Sequence, residues 1–126
     1  MLIIALDLNK KALKHLGTLL KCAVPDADYR QFTSMEECLL FAEKHKIDLA
    51  YLEMDTGIPY MNGLILLKKL RKHNPLMNVV FLIHGEYNNR DAHTALQCFA
   101  TDYVEKPMTY ERLQHGLQHL WFPMKK

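Results

Sequence analysis

One serine, three cysteines and five glycines are all that the 126-residue chain holds of these residues, and each scarcity removes a class of chemistry. The serine, Ser34, stands just before an apolar-periodic stretch with Glu37 three residues on, which is the pattern of a helix capping box. A serine hydrolase therefore has no nucleophile here and no elbow to hold one. Cys22, Cys38 and Cys98 are odd in number, far apart and free of any C-x-x-C spacing, so they offer no disulfide framework. The glycines form neither a G-x-G-x-x-G fingerprint nor a P-loop. No apolar run approaches the roughly 20 residues that span a bilayer. The opening run Met1–Leu6 stops at Asp7, with no basic residue before it and no small-residue cleavage site after it, so it is not read as a signal. Charge of one sign is also missing. Sixteen Lys and Arg against fourteen Asp and Glu leave +2, too little to mark a nucleic-acid or membrane surface. These absences point to a cytoplasmic, reduced protein without direct nucleic-acid or membrane contact.

What is present is ordinary globular composition, 49% apolar and 24% charged, in a length that suits one domain. Apolar runs of strand length occur at Leu2–Leu6, within Asp48–Met54 and at Val79–Ile83, with shorter ones at Tyr29–Phe32 and Tyr103–Val104. Between them lie helical spacings. Leu13, Leu16 and Leu20 form the first stripe, closed by Pro25; Met35, Cys38, Leu39 and Ala42 follow Ser34. Leu64, Leu67 and Leu70 run to Asn74–Pro75, Ala92 to Phe99 form a fourth stripe, and Thr109 caps a last one through Leu113, Leu117 and Leu120. Strand and helix alternate five times without a repeat or linker. That alternation predicts an α/β fold, a parallel sheet with helices on both faces. Ligands in such sheets bind outside the C-terminal ends of the strands. Asp7, Glu53, Asp55, His84 and Lys106 each follow a predicted strand, so the fold would gather residues that the sequence scatters.

On these residues the chain resembles the CheY-like receiver domains of bacterial response regulators. Asp7 follows the first strand, the stretch Asp55-Thr56-Gly57-Ile58-Pro59-Tyr60-Met61-Asn62-Gly63 is similar to the family's D-x-x-x-P-G-M-[DN]-G, and Lys106-Pro107 closes the series. Ala95 to Pro107 is similar to A-L-x-x-G-A-x-D-Y-L-x-K-P, and Lys106 lies 22 residues after His84, the family's interval between its switch hydroxyl and its lysine. The resemblance covers Met1 to about Leu120. It implies a flavodoxin-like (βα)5 three-layer sandwich with strand order 2-1-3-4-5, and a signalling module, not an enzyme. A receiver over residues 1–121 is expected, with 122–126 as a tail or the start of a linker to an effector domain, as in receivers at the N-terminus of transcription regulators. It also implies a cis Lys106–Pro107 bond and Tyr103 as the switch aromatic. The family's acids bind Mg²⁺ through oxygen ligands, and the metal and lysine neutralise a phosphoryl group on an Asp. A sensor histidine kinase or other signalling protein is the implied partner, with a homodimer through the last two helices and fifth strand.

The sequence departs from the pattern in three places. Leu8 stands where the second acid is expected and Asn9 follows it, so Mg²⁺ loses a charged ligand. The acceptor has two candidates: Pro59 and Gly63 select Asp55, whereas the distance from Asp48 selects Glu53, which is preferred because strand length changes less readily than loop length. A Glu there puts a carboxylate farther out and imitates a phosphorylated Asp. Finally, His84 replaces the switch hydroxyl, with Lys106 the other catalytic residue by resemblance. The metal set is then Asp7, Glu53 and Asp55. These departures favour a receiver acting by phosphorylation-independent or altered protein–protein contacts over a working Mg²⁺-dependent phosphoacceptor switch. Plainer readings stand beside them. Asp7 and Lys106 can form an ordinary salt bridge, and His115 and His119 sit on a solvated helix face. Lys68, Lys69, Arg71, Lys72 and His73 likewise read as a solvated face.

Overall fold

The computed structural model describes residues 1–53, 63–84 and 102–120. Nine elements run along them: β1 (Leu2–Leu6), α1 (Lys10–Ala23), β2 (Asp28–Phe32), α2 (Met35–Lys44), β3 (Leu49–Glu53), α3 (Gly63–His73), β4 (Asn78–His84), β5 (Asp102–Lys106) and α4 (Tyr110–Gln118). The five strands form one parallel sheet in the order β2-β1-β3-β4-β5. The expected doubly wound α/β architecture is therefore the observed one. The helix expected over Ala92–Phe99, the loop from Asp55 to Asn62 and the end of the chain from Trp121 lie outside the described residues.

Three of the described helices start where the sequence supplies a side-chain acceptor for orphan backbone amides. Asn9 caps α1, its Oδ1 accepting from Lys11 N at 2.9 Å and Ala12 N at 3.2 Å. Ser34 accepts from Glu37 N at 3.4 Å, and Thr109 from Arg112 N at 3.2 Å. Strand alternation then divides the core in two. Ile4, Leu6, Ala50, Leu52, Val79 and Phe81 face α2 and α3, where Cys38, Leu66, Leu67 and Leu70 meet them. Ile3, Ala5, Leu49, Tyr51, Val80 and Leu82 face α1 and α4, against Leu13, Leu16, Leu20 and Leu113. β1, β3 and β4 are buried on both faces, as the continuous apolar runs require.

Three local devices seat the layers. Gly17 lets α1 close on β2, since a Cβ there would lie 2.8 Å from Tyr29 Cε2, while the Tyr29 hydroxyl donates to Leu13 O at 2.9 Å. Buried Asn74 accepts from Ile47 N at 2.8 Å and donates to Ala42 O at 3.0 Å, tying two connections together at the N-terminal end of the sheet. Arg71 departs from the solvated face expected for its neighbours. Lys68, Lys69, Lys72 and His73 are exposed, but Arg71 is half-buried and donates to Pro75 O and Met77 O. Burial lowers its guanidinium pKa from the usual value. No described helix is long and apolar enough to cross a membrane.

Candidate functional site

Parity along the strands decides which side chains meet at the C-terminal end of the sheet. Asp7 continues the series Ile3, Ala5; Glu53 continues Leu49, Tyr51; Lys106 continues Val104. All three belong to the face covered by α1 and α4. In the ladder Leu6 pairs with Leu52, Glu53 with Leu82 and His84 with Lys106, so these residues sit within a rung or two of one another. Asp7 and Glu53 are each only 3% exposed.

Lys106 lies between the two carboxylates. Its Nζ donates to Asp7 Oδ2 at 2.5 Å and forms an ion pair with Glu53 Oε2. Asp7 Oδ1 accepts in turn from Asn9 N at 2.9 Å, so both oxygens of Asp7 are engaged. Burial alone pulls an ammonium pKa down. Here hydrogen bonds to Asp7 and Glu53, with the charges of both, outweigh burial and hold Lys106 above its ordinary value of 10.5. The ammonium stays charged throughout the neutral range, and one cation is shared by two anions in a water-poor place. Removing one member of such a group leaves uncompensated buried charge at a cost of about 3–5 kcal/mol.

The remaining predicted positions divide cleanly. Leu8 points away from chemistry, 55% exposed and without a ligand atom. Asn9 spends its side-chain oxygen on the first amides of α1. Tyr103 packs against the α2/α3 side of the core, on the opposite face from Lys106. The Lys106–Pro107 bond is cis, as the resemblance implied. Asp55 and the His84 side chain lie outside the described residues. His115 on α4 and His119 just past its end are exposed, with ring centroids 4.6 Å apart. Among the described residues no three His, Cys, Asp or Glu side chains gather as a metal site.

Sequence reasoning missed His15. It lies on α1, and its Nε2 is 2.9 Å from Met108 O, so Nε2 carries the proton and clamps α1 to the segment after the cis bond. An i/i+4 or motif search has no signal for a contact between residues 93 apart. Cys38 is buried in α2, which pushes its thiol up to about 12 and makes it an inert core residue.

Comparison with known proteins gives a consistent outcome. The model of the response regulator receiver domain matches residues 3–118. The two-component response regulator PhoP of Pseudomonas aeruginosa is 35% identical over 98 residues, 78% of this chain and 39% of PhoP. Chemotaxis protein CheY1 of Helicobacter pylori is 33% identical over 72 residues, 56% of this chain and 58% of CheY1. The chain thus spans about two fifths of the former's length and under two thirds of the latter's. Among solved structures, a receiver domain protein from Clostridium thermocellum superposes with a TM-score of 0.78 at 24% identity, over 93% of this chain and 90% of that one.

Proposed function

The chain belongs to the response regulator receiver domain family, and from that membership we propose that it is an atypical receiver whose output does not depend on a phosphoryl group. Receiver domains work in two-component signalling, where they meet histidine kinases and effector domains, and in general they bind Mg²⁺. The further step concerns this chain's own site. The single observation that supports it is the ion pair from Lys106 to Glu53, at the end of β3, alongside the bond to Asp7. In the family's chemistry a lysine ammonium meets the phosphoryl oxygens on an Asp. Here a glutamate, one methylene longer, puts a carboxylate oxygen on that ammonium with no phosphate needed. The engaged arrangement is then the resting one.

The metal side agrees with this reading. Mg²⁺ demands octahedral oxygen coordination and is held by one or two carboxylates with several waters. Among the described residues Asp7 and Glu53 are the only two acids at the site, both bonded to Lys106, and Leu8 offers nothing. This donor set fits the ion poorly. In this proposal Glu53 fills the acceptor's place as a built-in mimic, Asp7 positions Lys106, and Asp55 and His84 are supporting polar residues. Tyr103, on the other face of β5, reports the state of that strand to a partner surface formed with α4, by which a second copy or a signalling protein would be engaged. On this proposal residues 122–126 are a tail or the start of a linker to an effector domain.

The experiment is intact-mass measurement after incubation with Mg²⁺ and acetyl phosphate or phosphoramidate, with a competent receiver labelled in parallel. The expected result is no adduct on this protein and one phosphoryl group on the control. An adduct that disappears in Asp55→Ala or in Glu53→Ala would overturn the proposal and identify the acceptor of a working Mg²⁺-dependent switch.

A further inference from the structure

Beside the Asp7–Lys106 bond, between α1 and the start of α4, the structure holds a cavity of about 340 Å³. That volume lies at the lower end of small-molecule sites, which are concave, mostly apolar and furnished with a few polar groups. Ala12 and Leu16 on α1, Leu82 on β4 and Met108 beyond β5 give it an apolar wall. Asp7, Asn9 and Lys106 form its polar end, and His15 stands at its edge.

We propose that this cavity binds a small amphipathic amine, its hydrocarbon body against Leu16, Leu82 and Met108 and its ammonium toward Asp7. The chemistry of the polar end selects the head group. Lys106 is the one cation lining the cavity among the described residues, and its charge is shared between Asp7 and Glu53. An anionic head would meet the Asp7 carboxylate, beside a Lys106 ammonium already shared with Glu53 behind it, so the cluster carries two negative charges against one positive. Asn9 Oδ1 is occupied by α1's amides, so the Asp7 carboxylate, whose oxygens keep lone pairs beyond the one bond each already accepts, is the acceptor for the ammonium. Binding would join α1 and β4 to the segment that leads from β5 into α4. The inference deepens the phosphate-independent reading by supplying it with an input, and in that sense rests on it.

The test uses the full chain, ¹⁵N-labelled, titrated with hexylamine, hexanoate and hexanol. Hexylamine is expected to shift the amides of Ala12, Leu16, Leu82 and Met108 saturably, with a dissociation constant on the order of 1 mM for so small a ligand. Hexanoate should bind at least about tenfold more weakly, which is what 1.4 kcal/mol of lost head-group attraction means. Ala12→Leu, which fills the cavity, should abolish the shifts. Intermolecular NOEs from the hexyl methyl to Leu82 and Met108 in the parent locate the ligand without relying on that variant. Absence of saturation, hexanoate binding as tightly as hexylamine, or shifts unchanged in Ala12→Leu would each overturn the proposal. Phosphoryl labelling together with saturable hexylamine binding would sink the phosphate-independent reading and leave the cavity standing. No labelling and no binding would do the reverse.

Discussion

Replacing Lys106 with Met tests whether the three-residue cluster is a buried network or a solvated pair. The substitution keeps the side chain's length and apolar stem and removes only the ammonium. Asp7 and Glu53, each 3% exposed, are then left facing one another without their shared partner. Loss of one member of a buried ion group costs about 3–5 kcal/mol, whereas loss of an exposed partner costs about 0–1 kcal/mol. For 126 residues the unfolding entropy near the midpoint is about 0.26 kcal/mol/K, so a 3 kcal/mol loss lowers Tm by about 11 °C. The penalty also has a pH signature. Without Lys106 the penalty is that of two buried carboxylates carrying charge without their shared partner, and acid removes that charge, so the gap between parent and variant must narrow on acidification. Urea denaturation of both proteins at neutral pH and at about pH 4.5 reads this directly. A neutral-pH loss under about 1 kcal/mol, or a gap that stays constant with pH, would refute the buried-network reasoning.

Two further outcomes follow from the same geometry. In the parent, Lys106 is held above its ordinary value of 10.5; its contribution is therefore full below that value and is lost as pH rises through the elevated one. Stability measured by denaturant should fall more steeply above about pH 10.5 in the parent than in Lys106→Met. Asn9→Ala removes the acceptor for two amides of α1 and should cost about 1 kcal/mol by the same assay, or about 4 °C in Tm.

Much of the architecture was legible because periodicity and caps are local signals. Ser34 and Thr109 announce α2 and α4 within a few residues, and the runs at Leu2, Leu49 and Val79 read as strands buried on both faces. The gathering of Asp7, Glu53 and Lys106 was foreseeable from their place after successive strands, but only the register shows that they share a face. The pairing of Asp7 with Lys106, 99 residues apart, was legible as a salt bridge, whereas the ion pair from Lys106 to Glu53 was not. The cap role of Asn9 was not read, since it depends on where α1 begins. Arg71 was misplaced because its neighbours on α3 are ordinary solvated charges. Its inward turn is set by the carbonyls of Pro75 and Met77, which no pattern of charge reveals. Asn74 likewise earns its burial from Ile47 and Ala42, both distant in sequence.

The seat of α1 on β2 has a consequence for descent. Mid-helix glycine costs about 0.5–1 kcal/mol relative to alanine, so mutation at Gly17 should drift toward alanine. The ring of Tyr29, 2.8 Å from where the new methyl would sit, blocks that path. Shrinking Tyr29 first opens the space but gives up the hydroxyl bond to Leu13 O. Either first step is a loss and only the pair is a gain, so lineages are expected to carry the two positions together, as glycine with tyrosine or as a larger residue with a smaller one.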